Sequence, residues 1–134
     1  KQKNEKIKDK KKKNMTYDDN NIFAKILRKE IPCKKVYENE YALAFHDINP
    51  QAKIHILVIP KGKYISFADF SKNAAKDEIE GFFKAVGKVA EDQNLVGEGY
   101  RILANHGINA GQEVPHFHFH IFGKQPLGPM ISKV

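Results

Sequence analysis

From residue 116 to residue 122, histidine alternates with bulky apolar side chains: His116-Phe117-His118-Phe119-His120-Ile121-Phe122. A strict period of two reads as a β-strand, with the three histidines on one face and Phe117, Phe119 and Ile121 on the other. Residues 35–38 and 41–47 read as two further strands joined by a turn at Asn39-Glu40, the second alternating Ala42, Ala44 and His46 with Leu43, Phe45 and Asp47. Asn49-Pro50 breaks the chain. Residues 54–59 are then apolar except for His55, the pattern of a strand buried on both faces, and residues 100–105 make another strand, followed by a loop at 107–111. Helical periods appear twice. Residues 18–21 offer N-caps for a short helix to about residue 30, with Phe23, Ile26 and Leu27 on one face and Pro32 as its stop. A longer helix is expected over 73–93, where Ala75, Ile79, Phe82, Phe83, Val86, Val89 and Ala90 share a face. Gly81 and Gly87 each weaken that helix by about 1 kcal/mol relative to Ala, which implies close packing against both. The predicted class is α+β: a five-stranded antiparallel sheet with two helices.

Charge changes the picture only at one end. Of the net +7 of this 134-residue chain, residues 1–14 carry +6, with eight lysines against Glu5 and Asp9. This tail has Ile7 as its only large apolar side chain and is expected to be disordered, leaving 15–134 as a single domain with a nearly neutral surface. A nearly neutral body argues against a specific nucleic-acid partner; a weak contact of the tail with anionic surfaces is the alternative kept for it. No apolar run approaches the roughly 20 residues of a membrane span. Cys33 is the only cysteine, so an intramolecular disulfide and a Cys-rich zinc site are both excluded. The expected location is cytoplasmic, with the nucleus as a second address.

Three imidazoles along one wall, about 6.6 Å apart at a rise of roughly 3.3 Å per residue, suit a phosphate or a metal. Buried histidines are costly without partners, so a purely structural strand has little reason to carry three. The His-x-His-x-His run followed by apolar residues resembles the defining motif of the histidine triad family. So do Ala44-Phe45-His46-Asp47-Ile48-Asn49-Pro50-Gln51-Ala52, His55-Ile56-Leu57-Val58-Ile59-Pro60-Lys61, Gly111-Gln112 and Pro126-Leu127-Gly128-Pro129-Met130. Together they resemble its nucleotide-binding, Hint-like branch, whose members have also been labelled protein kinase C interacting or inhibitor proteins, over about residues 20–130.

The resemblance implies a histidine-triad fold in which two protomers join their sheets edge to edge in a homodimer. It implies a hydrolase that cleaves the P–N bond of purine nucleoside 5′-phosphoramidates, AMP amides above all, or of aminoacyl- or acyl-AMP. The family assigns attack on phosphorus to the middle histidine, here His118, through a nucleotidyl-histidine, with His116, His120 and His55 in support. Asn105, Gly111 and Gln112 are then expected at the α-phosphate and Asp47 on the ribose hydroxyls, with Phe23, Ile26, Phe45, Ile48 and Leu57 around the base. Glu113 departs from the Ser or Thr that many members carry, and must turn away, bind through its backbone N–H, or stay protonated as an acid. No metal or other cofactor is implied. Two alternatives stay open: a zinc-binding or protein kinase C-interacting regulatory module, and a dinucleoside polyphosphate hydrolase, against which the Pro-Leu-Gly-Pro-Met ending and the short chain argue.

Overall fold

The alternating positions form one antiparallel sheet in the computed structural model, which describes residues 16–132. The Lys-rich stretch 1–14, expected to be disordered, lies outside the described residues. The strands are β1 (Lys35–Glu38), β2 (Ala42–His46), β3 (Ile54–Pro60), β4 (Tyr100–Leu103) and β5 (Phe119–Gly123), arranged β1-β2-β3-β5-β4. Among the described residues three α-helices accompany them: α1 (Ile22–Leu27), α2 (Phe67–Asn73) and α3 (Lys76–Asp92). The expected five-stranded antiparallel sheet is present, with one helix more than the pattern indicated.

Period-two alternation gives the sheet two dry faces. Ala42, Ala44, Ile56, Val58 and Ile121 face Phe70 of α2 and Phe82, Ala85, Val86 and Val89 of α3. Leu43, Phe45, Leu57 and Ile59 face Phe23 and Ile26 of α1. Strand β3, central and buried on both faces, is the shared wall. Phe70, Phe82 and Ile121 bury almost their whole side chains, worth about 1.5–3 kcal/mol apiece.

The expected long helix is two helices. Ala74 and Ala75 are extended, with ψ of 146° and 156°, so the chain turns between α2 and α3. Ser66 caps α2 by accepting the Asp69 N–H, and Glu78 accepts both the Ala75 N–H and the Tyr64 hydroxyl at the start of α3. A seven-residue helix with one buried side chain, Phe70, shows no period to read. Helix α1 is likewise shorter than expected: it ends at Leu27, and Lys29 adopts a left-handed φ of 63°. Of the two glycines, only Gly81 is packed against; a Cβ there would lie 2.5 Å from Tyr41 Cδ2, whereas one at Gly87 meets nothing within 4 Å.

Strand β5 begins at Phe119, not His116. The β3–β5 register pairs Val58 with Phe119, so the residue opposite Phe117 is Pro60. Proline has no N–H to give a ladder, and the Phe117 N–H turns instead to Tyr64 O at 2.7 Å. The first two histidines therefore precede the strand rather than belong to it.

Candidate active site

Strands β3 and β5 bring His55 and His120 together from 65 residues apart, His55 Nε2 lying 2.9 Å from His120 Nδ1. The Gln51 backbone N–H donates to His55 Nδ1 at 3.2 Å, so that nitrogen is bare and the His55 proton sits on Nε2. His55 therefore donates to His120 Nδ1, and His120 carries its own proton on Nε2. Asp47 Oδ2 lies 3.5 Å from His55 Nε2 and steadies the same proton.

His118 is set the opposite way. Its Nδ1 lies 2.7 Å from His116 O, an acceptor only, so Nδ1 is protonated and Nε2 keeps its lone pair. The rings of His118 and His120 have centroids 5.0 Å apart. One buried imidazole thus presents a lone pair beside another that presents an N–H, the pairing a displacement at phosphorus requires of a nucleophile and a proton donor.

Burial holds all four rings toward the neutral form. It pushes His116 down to about 4, and it pushes His120 down to about 4 with help from the neighbouring His118 and His55 charges. His118 and His55 are lowered by the same desolvation, with Asp47 pulling the other way on each. Neutral rings are what nucleophilic attack needs, and an arriving phosphate would favour protonation of the donors.

His116 does not share the wall expected of it. It lies at 0 % exposure, outside the cavity that His118 and His120 line, with Nε2 donating to Pro60 O at 2.8 Å and Nδ1 2.6 Å from the Tyr17 hydroxyl. Its backbone carbonyl rather than its ring meets the nucleophile. A cavity of about 490 Å³ is bounded by His118, His120, His55, Asp47, Asn105, Gly111, Gln112, Glu113, Phe23 and Leu57. Asn105 arrives because Leu103 is the register partner of His120, placing it just past the end of β4.

The expected phosphate donors at Gly111 and Gln112 are spent within the 107–114 loop and on Ile65 O. Their backbone N–H groups go to Ile108 O and Gly107 O. The Gln112 amide donates to Ile65 O and Val114 O and accepts from the Gly107 N–H. Gln112 therefore shapes the loop. Glu113 is exposed at the cavity rim.

A second cavity, of about 690 Å³, opens beyond Asp47 and His55, which line both. Ile48 lines it. Ile26 and Phe45 line neither cavity and belong to the core beneath, with Leu43 and Ile59. Sequence reasoning missed Cys33, Lys34, His46 and Lys53 on this larger cavity. A signal existed only for His46, adjacent to Asp47 at the end of β2. Tyr17 was also missed, although it is the single aromatic in the polar run 16–21.

The family model for the HIT domain matches residues 28–127. An uncharacterised 13.2 kDa HIT-like protein of Azospirillum brasilense is 63% identical over 118 residues, 88% of this chain and 97% of that one. The purine nucleoside phosphoramidase of Escherichia coli K12 is 41% identical over 112 residues, 83% of this chain and 92% of that one. A solved histidine triad protein from Clostridium difficile superposes with a TM-score of 0.78 at 37% identity, covering 87% of this chain and 100% of the other.

Proposed function

The chain belongs to the HIT domain family, and from that premise we propose that it is a metal-independent purine nucleoside phosphoramidase, acting on AMP amides or on aminoacyl- or acyl-AMP. The base lies in the larger cavity, beside Ile48. Asp47, on the wall shared by both cavities, accepts from the ribose hydroxyls, and the α-phosphate sits in the smaller cavity against Asn105 and His120. His118 Nε2 attacks phosphorus in line with the leaving nitrogen. The P–N bond breaks as the new bond to Nε2 forms, the His118 Nδ1–H stays on His116 O, and the leaving nitrogen takes the proton from His120 Nε2. Water then attacks the nucleotidyl-histidine and gives its proton to the bare His120 Nε2; the P–Nε2 bond breaks, AMP is released, and His118 and His120 return to their starting protonation.

The observation that carries this reading is the opposed protonation of two adjacent rings, a bare Nε2 on His118 and a protonated Nε2 on His120. His118→Ala should bind AMP within a few-fold of wild type and lose kcat by about three orders of magnitude or more. Rapid quenching of wild type should trap an adduct on residue 118, and a chiral α-phosphorus should be released with retention. Inversion, or substantial turnover by the variant, refutes covalent catalysis.

One observation favours a zinc-binding reading: Asp47, His55 and His120 offer ligand atoms all within 4.8 Å of one another. Zinc there needs a fourth donor such as water and displaces the proton that His55 gives His120. Zinc titration followed by calorimetry and by turnover of an AMP amide in parallel distinguishes the two, since a binding module predicts tight binding with no turnover in the metal-free protein and a phosphoramidase predicts metal-free turnover that zinc inhibits.

We further propose a homodimer joined along β4. Among the described residues that strand pairs only with β5, and Tyr100 and Ile102 on it are 37% and 42% exposed. Light scattering from purified protein should give twice the chain mass, and a monomer at micromolar concentration rejects this arrangement.

A further inference from the structure

The phenol of Tyr17 has no part in the reaction scheme above, yet its hydroxyl lies 2.6 Å from His116 Nδ1, and His116 is wholly buried. We propose that Tyr17 is a positioning residue for the nucleophile, locking the His116 ring so that the His116 carbonyl holds His118 in the tautomer that attacks. The proposal rests on the reading in which His118 Nε2 attacks phosphorus.

The chain of donors has one solution. Pro60 O accepts only, so His116 Nε2 carries the ring proton and Nδ1 is bare. With the ring at 0 % exposure, Nδ1 needs a donor from the protein, and the Tyr17 O–H supplies it. The segment bearing Tyr17 is tied down on both sides of the helix start. Arg28 donates to Asp19 O at 2.8 Å, Lys63 pairs with Asp19 Oδ1 at 2.8 Å, and Asn21 caps α1 by accepting the Ala24 N–H. Tyr17 and His116 also pack edge to face at 5.6 Å between centroids.

Removing the hydroxyl alone leaves a buried acceptor unpaired, which is costly away from water. The ring relieves that cost by turning over or by moving its proton to Nδ1, and either change breaks the bond to Pro60 O. The backbone at residue 116 then loses its side-chain anchor and keeps only the Phe117 N–H bond to Tyr64 O, with no ladder bond at Pro60 to replace what is lost. Its carbonyl is what fixes the His118 proton on Nδ1. Once that hold loosens, His118 samples the tautomer with a protonated Nε2, which has no lone pair to give phosphorus.

Tyr17→Phe keeps the aromatic packing and deletes only the hydrogen bond. Two readouts are taken on the full chain: steady-state hydrolysis of an AMP amide, and imidazole ¹⁵N spectra without substrate. Expected are a kcat about tenfold lower, equivalent to ~1.4 kcal/mol, with KM within about twofold since Tyr17 lines neither cavity. The His118 nitrogens should move from the pure Nδ1–H pattern to a mixed one, which a loss of stability alone does not produce. Unchanged His116 and His118 spectra overturn the proposal whatever the rate does, and so does a wild-type kcat in an active enzyme. If wild type hydrolyses no phosphoramidate while the spectra shift as expected, the positioning role stands and the proposed reaction falls.

Discussion

Acid should unfold this protein through the same buried rings that serve its site, and His116 permits the effect to be worked out. Its pKa is pushed from 6.5 down to about 4, chiefly by desolvation. A folded-state value below the unfolded one means that the neutral ring's stability is fully present above pH 6.5 and is lost as pH falls toward 4. At 1.36 kcal/mol per unit the whole contribution is ~3 kcal/mol, of which ~2 kcal/mol is gone by pH 5. His118, His120 and His55 shift in the same direction, so the wild-type slope alone does not isolate His116. His116→Gln does, because its amide N–H can still reach Pro60 O while nothing at that position titrates. Urea unfolding at pH 7, 6 and 5, with m-values checked for constancy, should show a less stable variant at pH 7. The gap to wild type should narrow by ~2 kcal/mol at pH 5. A gap that stays constant across that range would refute the reasoning, because it would mean the buried ring binds its proton as readily as the unfolded chain does.

Turnover of an AMP amide should survive exhaustive chelation with EDTA, since imidazole nucleophile and donor replace a metal; activity lost to EDTA and restored by zinc would favour the Asp47–His55–His120 metal reading. Gly87→Ala should stabilise α3 by up to about 1 kcal/mol in urea melts, whereas Gly81→Ala should lose about 1–3 kcal/mol because Tyr41 must move. Equal effects at the two sites would show that the packing difference is unimportant. Gln112→Ala strips three bonds from the 107–114 loop and should cost ~2 kcal/mol with a reduced kcat. Wild-type melting and turnover would mean that this amide does not build the cavity.

Local pattern was enough for much of this protein. A period of two marked β2 and the histidine strand, a continuous apolar run marked β3, and the alternation of Ala42 and Ala44 with Leu43 and Phe45 separated the two faces of β2, because on a strand the side-chain direction follows from sequence parity alone. The spacing His-x-His-x-His likewise marked where the chemistry lies. What each histidine does was not legible there, since a ring's role depends on which nitrogen is protonated, and that depends on partners far along the chain. His120 takes its proton placement from His55 on another strand, and His118 from a carbonyl whose ring is held by Pro60 and Tyr17. Parity put His116 beside His118, but only the register against Pro60, a residue without an N–H, ended the strand at Phe119 and left His116 buried. Gly81 and Gly87 are alike as letters in a helix; Tyr41, brought in by the hairpin, tells them apart. Gln112 read as a phosphate donor until the loop closed and used all its hydrogens. Sequence periodicity reports backbone geometry over a few residues, while protonation and donor availability are settled by contacts that form only when distant segments meet.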